Sequence, residues 1–171
     1  MVRKSSRSSR KSKAKAKAKA VAAETGVRPI ASNRKARYDY ELISKLEAGL
    51  VLLGSEVKSL RVNGGNIRDG FARVEGDELY LHGVHIPPLA EASYQNHEPL
   101  RKRKCLVHRR ELLKIQDALE AKGLTMVPLA LYFKGVRVKI ELAIARGRRK
   151  GDHRSADREK EERKRMRQYE G

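Results

Sequence analysis

Residue types that perform catalysis occur in this chain, but their arrangement is not that of a catalytic site. Glu47 and Glu56 are the two carboxylates that would serve as general acid and general base. Both stand near basic residues, where a carboxylate more often holds an arginine or accepts hydrogen bonds from the edge of a base. Cys105 has no histidine paired with it in sequence, so we interpret it as a small core residue and not as a nucleophile. The sequence therefore predicts that the chain is not an enzyme.

Metal and cofactor chemistry is not indicated either. The five histidines are scattered, without cysteine or carboxylate neighbours at the spacing of a zinc site. His82 and His85 are three residues apart on a predicted strand and would point to opposite faces. No GxSxG, HExxH or phosphate-loop pattern occurs. We expect no metal and no cofactor.

The charge of the chain indicates a polyanionic partner. Its 171 residues carry 40 lysines and arginines against 21 acidic residues, a formal net charge of +19. Residues 1–30 and 146–171 are strongly basic, whereas residues 31–145 are only modestly so. A modestly charged body with two basic arms favours nucleic acid over a membrane as the partner.

Composition also predicts the domain organisation and the compartment. A single cysteine excludes a disulfide framework, and the sequence contains no secretory or transmembrane run, so we expect a cytoplasmic protein. The length suits one domain with one core. We divide the chain into a disordered basic arm at residues 1–30, an RNA-binding body at residues 31–145 and a basic tail at residues 146–171. The tail has no apolar face, so we expect it to be disordered when free and helical on a polyanion.

The elements that would position the polar residues are organised around one apolar run. Residues 50–53 are bounded by glycines, which predicts a strand buried on both faces. Beyond it, Val57 and Leu60 predict a short amphipathic helix capped by Ser55. Four charged side chains would lie at the two ends of this strand, where the core meets solvent: Glu47, Glu56, Lys58 and Arg61.

The sequence pattern in the rest of the body predicts a barrel. Residues 71–75 and 78–86 predict a hairpin with a Gly-Asp turn, and residues 108–122 have a helical period. Residues 125–133 are almost wholly apolar, and residues 136–145 alternate between a core face and a wet, mostly basic face. These pieces make a mainly β fold of about six antiparallel strands with two or three flanking helices. A sheet of that size hides its edges by closing, so we predict a closed, OB-like β-barrel.

Two basic runs in the body are candidate RNA contacts. Residues 33–37 are Asn-Arg-Lys-Ala-Arg, at the start of the body. Residues 101–104 are Arg-Lys-Arg-Lys and follow a loop that holds Tyr94 and Asn96. A mixture of aromatic, amide and cationic side chains suits RNA bases and phosphates. The alternative for residues 101–104 is a solvated face.

Six motifs in uninterrupted order resemble one family. They occupy residues 33–37, 47–49, 54–61, 123–129, 131–134 and 145–149. Together they are similar to those of the SsrA-binding proteins, also called small protein B, the bacterial partners of transfer-messenger RNA. The resemblance covers about residues 31–171. It implies an OB-like barrel with flanking helices, which agrees with the fold predicted from the sequence pattern.

The resemblance implies a function in trans-translation. Such a protein binds the tRNA-like domain of transfer-messenger RNA as a monomer, supports its aminoacylation and brings it to ribosomes stalled without a stop codon. Asn33, Glu47 and Leu106 match family positions linked to RNA binding. Asn33 and Glu47 would read base edges, and Leu106 would offer an apolar surface to an unstacked base, with core packing as the alternative. The cations expected to contact phosphates are Lys35, Arg37, Lys58 and Arg61.

The resemblance also implies that the tail lies in the empty mRNA channel of the small ribosomal subunit, near the decoding centre. Two positions depart from the family pattern. Gly151 stands where the family often has a ring, and His153 replaces a lysine, which weakens the positive charge at neutral pH. The tail residues expected to bind the ribosome are Arg146, Gly147, Arg148, Arg149, Lys150, Arg154, Arg158, Arg165 and Met166.

Two other classes of protein stay open on the residues themselves. One is a general nucleic-acid chaperone whose affinity comes from its arms, and it would bind any RNA with a steep dependence on salt. The other is an intrinsic ribosomal protein held by a barrel and tails, and it would co-purify with all ribosomes.

Overall fold

The computed structural model describes residues 26–89, 96–120 and 123–148. In these residues the chain forms seven strands and three helices. The strands are β1 (Val27–Ser32), β2 (Tyr40–Leu50), β3 (Phe71–Glu75), β4 (Glu78–His82), β5 (Arg103–Leu106), β6 (Leu124–Lys134) and β7 (Arg137–Gly147). The helices are α1 (Ala36–Asp39), α2 (Gly54–Val62) and α3 (Arg109–Glu120). The mainly β class with flanking helices is confirmed.

The strands pair antiparallel and close into a ring. Around the ring the order is β3, β4, β5, β2, β7 and β6, and the Ala72 to Met126 pairing of β3 with β6 completes it. Apolar side chains from all six strands fill the inside and form the main core. The additional strand β1 pairs with the end of β6, between residues 130 and 134. The six predicted strands did not include β1, which has no apolar pattern of its own, or β5, which begins in the basic run at residues 101–104.

Both ends of the folded body extend further than predicted. Strand β1 begins at Val27, inside the predicted arm, and β7 runs to Gly147, inside the predicted tail. Beyond β7, the amide of Arg148 donates to the carbonyl of Asp39 at 3.0 Å. These segments are held by backbone hydrogen bonds, which do not need the apolar side chains that composition detects. Residues 1–25 of the arm and 149–171 of the tail lie outside the described residues.

The prediction of a strand at residues 50–53 is wrong. Strand β2 ends at Leu50, and the side chains of Val51 and Leu53 are about half exposed, at 46% and 50%. The cause is Glu56, whose Oε2 accepts a hydrogen bond from the amide of Leu53 at 2.7 Å. This bond satisfies a free amide at the start of α2, so that Leu53 and not Ser55 is the N-cap. The amphipathic helix predicted after this point is confirmed.

Glu56 lies in the interior and not at the solvent boundary. Its carboxylate and the guanidinium of Arg103 are both fully buried, and Arg103 Nε donates to Glu56 Oε1 at 2.8 Å. Arg101 donates to the same carboxylate through Nε at 2.9 Å. Arg103 also donates to the carbonyls of Val84 and Pro99, at 2.6 and 3.0 Å. This cluster fixes α2 against the segment that leads into β5.

The basic run at residues 101–104 is therefore largely neutralised inside the protein. Besides the two arginines, Lys102 donates to Glu75 at 2.8 Å, and Lys104 forms an ion pair with Glu78. Carboxylates on β3 and β4 thus form ion pairs with the lysines that the sequence analysis proposed as RNA contacts. Tyr94, the aromatic residue of that interpretation, lies outside the described residues.

Strand β7 has two buried faces over its second half. Its even positions from Val138 to Ile144 face the main core, as the alternating pattern predicted. On the other face, Ala143 and Ala145 pack with Val127 and Leu129 of β6 in a second, smaller core. Helix α1 covers this second core with Ala36. The predicted wet face is therefore limited to the first half of β7, which leaves Lys139 and Glu141 on the outside.

Candidate nucleic-acid interface

A cavity opens where β5, β2 and β7 lie side by side. Gly49 of β2 is in register with Leu106 of β5 on one side and with Lys139 of β7 on the other. A Cβ at position 49 would lie only 3.2 Å from the Cβ of Leu106, so glycine permits this close approach of β2 and β5. The cavity beside this seam has a volume of about 400 Å³. Its lining consists of Gly49, Leu50, Leu52, Val57, Leu106, Val136, Arg137, Val138 and Lys139.

Leu106 is not a core residue. Its side chain is 53% exposed, which decides against the core-packing alternative. It forms one wall of the cavity with the aliphatic side chains of β2, α2 and β7, while Arg137 and Lys139 supply the positive charge. An apolar cavity with a few cations suits a flat, weakly polar group joined to an anion. A nucleotide has this combination of an apolar ring and a phosphate.

Glu47 stands beside the cavity in a cluster of polar side chains. The Tyr132 hydroxyl donates to Glu47 Oε2 at 2.5 Å. Lys134 Nζ and Lys139 Nζ lie 3.3 Å and 3.5 Å from Glu47 Oε1. The hydrogen bond from Tyr132, followed by the two lysines, holds the pKa of Glu47 below its ordinary value. Partial burial first, and then the hydrogen bond to Glu47, raise the pKa of Tyr132, so its hydroxyl stays a donor at neutral pH.

Lys139 connects the cavity with the Glu47 cluster. Its ammonium group pairs with Glu47, and its side chain also lines the cavity. The structure therefore brings Glu47 and Leu106 into one site, although they are 59 positions apart in the sequence. The basic face of β7 predicted Lys139 as exposed, but nothing in the sequence pattern predicted that Tyr132, Lys134 and Arg137 belong to this site.

Helix α2 carries further side chains that lie in or near the cavity. Val57 lines the cavity, and one turn later the guanidinium of Arg61 lies 5.7 Å from the centre of the Phe133 ring. Phe133 is the register partner of Val138, which also lines the cavity. Lys58, on the same helix, is exposed. Arg61 is thus positioned close to the cavity.

Asn33, Lys35 and Arg37 belong to a separate surface at α1. This helix packs over Ala143 and Ala145, whereas the cavity lies at Lys139. Six residues of β7 at about 3.3 Å each separate Lys139 from Ala145, a distance of about 20 Å. One nucleotide cannot span this distance, so the predicted RNA-binding residues form two surfaces.

Asn33 does not lie at the rim, as the sequence analysis assumed. Its side chain is only 7% exposed. Its Oδ1 accepts from the amide of Ala36 at 3.1 Å, and its Nδ2 donates to the carbonyl of Arg68 at 3.2 Å. Both ends of the amide are therefore used to start α1 and to tie it to the loop after α2. Lys35 and Arg37 are exposed on α1, and Lys35 lies 3.6 Å from Asp39.

Comparison with known proteins identifies the family. The family described as "SmpB protein" matches residues 30–170, which is most of the chain. The chain belongs to the SmpB family. An SsrA-binding protein of Deinococcus radiodurans is 51% identical over 134 residues, covering 78% of this chain and 94% of the relative. An SsrA-binding protein of Streptomyces coelicolor is 47% identical over 144 residues, covering 84% of this chain and 91% of the relative.

A solved structure of the SmpB family has the same fold. It is described as "tmRNA-SmpB: a journey to the center of the bacterial ribosome" and contains a chain that is 44% identical to this one. The superposition has a TM-score of 0.61 and covers 76% of this chain and 95% of that chain. The family predicted from six sequence motifs is confirmed.

The SmpB match reaches residue 170 and so includes the predicted tail. The first three tail residues are described. Arg146 and Gly147 are the last residues of β7, and Arg148 follows them. The other predicted ribosome contacts lie outside the described residues: Arg149, Lys150, Arg154, Arg158, Arg165 and Met166.

Potential metal ligands do not cluster in the described part of this SmpB chain. Among residues 26–89, 96–120 and 123–148, no three histidine, cysteine or acidic side chains lie close enough to hold a metal ion. In the same residues, no helix is long and apolar enough to cross a membrane. Cys105 is buried in the main core, and burial raises the pKa of its thiol to about 12. Its interpretation as a core residue is confirmed.

Proposed function

We propose that this protein binds the tRNA-like domain of transfer-messenger RNA and delivers that RNA to stalled ribosomes for peptide tagging. Two of its close relatives are named SsrA-binding proteins, and a related chain is part of a tmRNA-SmpB structure with the bacterial ribosome. The observation that carries the proposal for this chain is the cavity at Gly49, which joins Leu106 to Glu47 through Lys139. The protein acts as a binding factor in the cytoplasm, without a chemical step of its own.

The cavity receives one unstacked base of the RNA. Leu106 and its aliphatic neighbours contact the face of the base, since apolar surfaces bind unstacked bases by burying that face. Arg137 and Lys139 at the rim contact the attached phosphates. Glu47 has two roles. It holds Tyr132, Lys134 and Lys139 in position, and its exposed carboxylate accepts from an amino group on a base edge when the RNA binds.

The surface at α1 makes a second contact with the same RNA. Lys35 and Arg37 contact phosphates about 20 Å from the cavity, a distance that only a folded or long RNA bridges. Asn33 acts by holding α1 in place and not by reading a base. Two contacts at a fixed separation favour a folded tRNA-like domain over a flexible single strand, because the folded RNA loses less conformational entropy on binding.

The tail has the ribosome as its partner. Residues 149–171 continue from the end of β7 with a high density of arginine and lysine. We propose that they bind the mRNA channel of the small subunit near the decoding centre and become helical there. The ordering of such a segment on a polyanion is driven by charge, so its contribution falls as salt is raised.

The proposal is tested by RNA binding of the purified full chain. The tRNA-like domain and a random single-stranded RNA of equal length are compared at low and at raised salt. We expect the folded RNA to remain bound at raised salt after the single strand has dissociated. Equal binding with the same steep salt dependence would instead identify a general chaperone.

The cavity is tested in the same assay by Leu106→Asp. The matched control is Leu113→Asp, which places the same charge on an exposed leucine of α3, 48% accessible to solvent. We expect Leu106→Asp to weaken binding of the tRNA-like domain at least tenfold, or about 1.4 kcal/mol. Equal effects of the two substitutions would overturn the role of the cavity.

A further inference from the structure

Two arginines from distant parts of the sequence meet at the end of the ring. Arg28 of β1 and Arg61 of α2 both pack against the ring of Phe133, with guanidinium carbons 5.9 Å and 5.7 Å from its centre. Phe133 itself is buried, whereas both arginines are exposed. Two exposed cations thus lie within about 6 Å of the centre of the same buried ring.

Arg28 is held in place by the end of helix α2. Its Nη2 donates to the backbone carbonyl of Arg61 at 3.0 Å. Arg61 is in the last turn of the helix, where carbonyls have no partner within the helix, so this bond fills a vacant acceptor. A guanidinium has five N–H donors, and this contact uses one of them. The others remain for a ligand, on a side chain whose position is already fixed.

The charge of this arginine pair is not balanced inside the described protein. Neither Arg28 nor Arg61 forms an ion pair with a carboxylate among the described residues. By contrast, carboxylates form ion pairs with Arg101, Lys102 and Lys104. Two guanidinium groups beside one ring and without a carboxylate suit a phosphate, whose oxygens match the paired N–H donors of arginine.

The pair lies next to the cavity. Arg28 is in register with Phe133, and Phe133 is in register with Val138, which lines the cavity. Arg61 is one helical turn beyond Val57, which also lines it. Arg28 stands before residue 30, where the match to the SmpB family begins. The family match therefore assigns no role to Arg28.

We infer that Arg28 and Arg61 together bind one phosphate group of the RNA strand whose base occupies the cavity. The ligand is a phosphodiester, and its non-bridging oxygens accept hydrogen bonds from both guanidinium groups. This inference rests on the proposed function, since it adds a phosphate site to the same RNA contact. It also gives β1 a role, because this strand carries Arg28 to the end of α2.

The test is a salt titration of RNA binding by full-length variants. Arg28→Ala, Arg61→Ala and the double variant are compared with Arg110→Ala, an exposed arginine of α3. We expect each single variant to reduce the slope of log affinity against log salt by about 1, the effect of one lost phosphate contact. Because both arginines bind the same phosphate, the double variant should bind hardly more weakly than either single one. Arg28→Lys should keep the slope but weaken binding, since lysine has no fork of donors.

The outcomes separate this site from the proposed function. A wild-type chain without preference for the tRNA-like domain overturns the proposed function. A wild-type salt slope for Arg28→Ala, on both the folded and the single-stranded RNA, overturns the arginine site, as does a change no larger than that of Arg110→Ala. Losses that add fully in the double variant overturn the shared phosphate. A lower melting temperature of Arg28→Ala with an unchanged salt slope would mean that Arg28 only caps α2.

Discussion

Glu56 illustrates how burial and partners decide what a carboxylate does. The residue type suits acid–base catalysis, yet its side chain has no exposed surface and accepts hydrogen bonds from Arg101, Arg103 and the amide of Leu53. Burial alone would raise the pKa of Glu56. The hydrogen bonds from Arg101, Leu53 and Arg103 outweigh that effect and hold the pKa below the ordinary value of 4.5. The group therefore stays ionised and serves structure.

Replacing this carboxylate should destabilise the fold strongly. In Glu56→Gln the guanidinium of Arg103 stays buried without a counter-charge, which costs about 3–5 kcal/mol of unfolding free energy. The matched control is Glu120→Gln on the exposed end of α3, for which we expect a change within about 0.5 kcal/mol. Urea unfolding at neutral pH measures both. Equal stability of the two variants would contradict the structural role of Glu56.

The stability of Glu56→Gln relative to the wild type should also depend on pH with a definite sign. Because the folded state lowers the pKa of Glu56, the stabilisation is fully present above the unfolded value of 4.5 and is lost as the pH falls through the lowered folded value. The difference in unfolding free energy between the wild type and Glu56→Gln should therefore shrink below pH 4.5. A difference that grows on acidification would contradict the lowered pKa.

Some elements could be predicted from the sequence because their signal is local. The core face of β7, the helical period of α3 and the glycine turn between β3 and β4 appear in the structure as predicted, although β4 ends at His82 and not at residue 86. The prediction of a strand at residues 50–53 was wrong because a contact between residues far apart in the sequence ends the strand at Leu50. Glu56 starts α2 at that point, and arginines 45 and 47 positions further along hold Glu56 there.

The candidate site could also be predicted from the sequence only in part. Glu47 and Leu106 were identified through the family resemblance, but their partners come from β6 and β7 and depend on strand register. Arg28 was assigned to a disordered arm, because β1 is held by backbone pairing to β6 and has no apolar period. The resemblance gave the residue types at the proposed interface. It did not give the division into two surfaces, which results from the packing of α1 on the second core.

Helix α1 has only four residues, so its position depends on Asn33. Asn33→Ala removes the acceptor for the Ala36 amide and the donor to the Arg68 carbonyl. We expect a loss of about 1–2 kcal/mol in unfolding free energy, as for other residues that cap a helix start. Binding of the tRNA-like domain should weaken at the same time, because Lys35 and Arg37 lose their fixed position. Calorimetric melting and RNA binding measure the two effects.

Unlike Asn33→Ala, Glu47→Ala should weaken RNA binding without loss of stability, because Glu47 is exposed and lies outside both cores. It should bind the RNA more weakly by about 1–3 kcal/mol, the usual effect of losing a base-edge contact. Its melting temperature should stay close to that of the wild type.

If Asn33→Ala melts normally while its RNA binding falls, Asn33 reads a base directly and its positioning role is wrong.

The whole molecule combines a ring of strands with a basic extension at each end. The ring presents the cavity at one end of β7 and the α1 surface toward the other, and the tail continues from the strand that connects them. Because β7 includes Gly147 and the Arg148 amide bonds to Asp39, a deletion that tests the tail must begin after Arg148. A deletion from Arg146 onward would also remove the pairing of β7 with Tyr40 and Glu41.

The measurement that tests the account most directly is peptide tagging on a truncated message, in a purified translation system with transfer-messenger RNA. Three samples are compared: no protein, the full chain and a chain that ends at Arg148. We predict that the full chain restores tagging, and that the shortened chain still binds transfer-messenger RNA but does not support tagging. No tagging with the full chain would contradict the proposed function, and full tagging with the shortened chain would contradict the role of the tail.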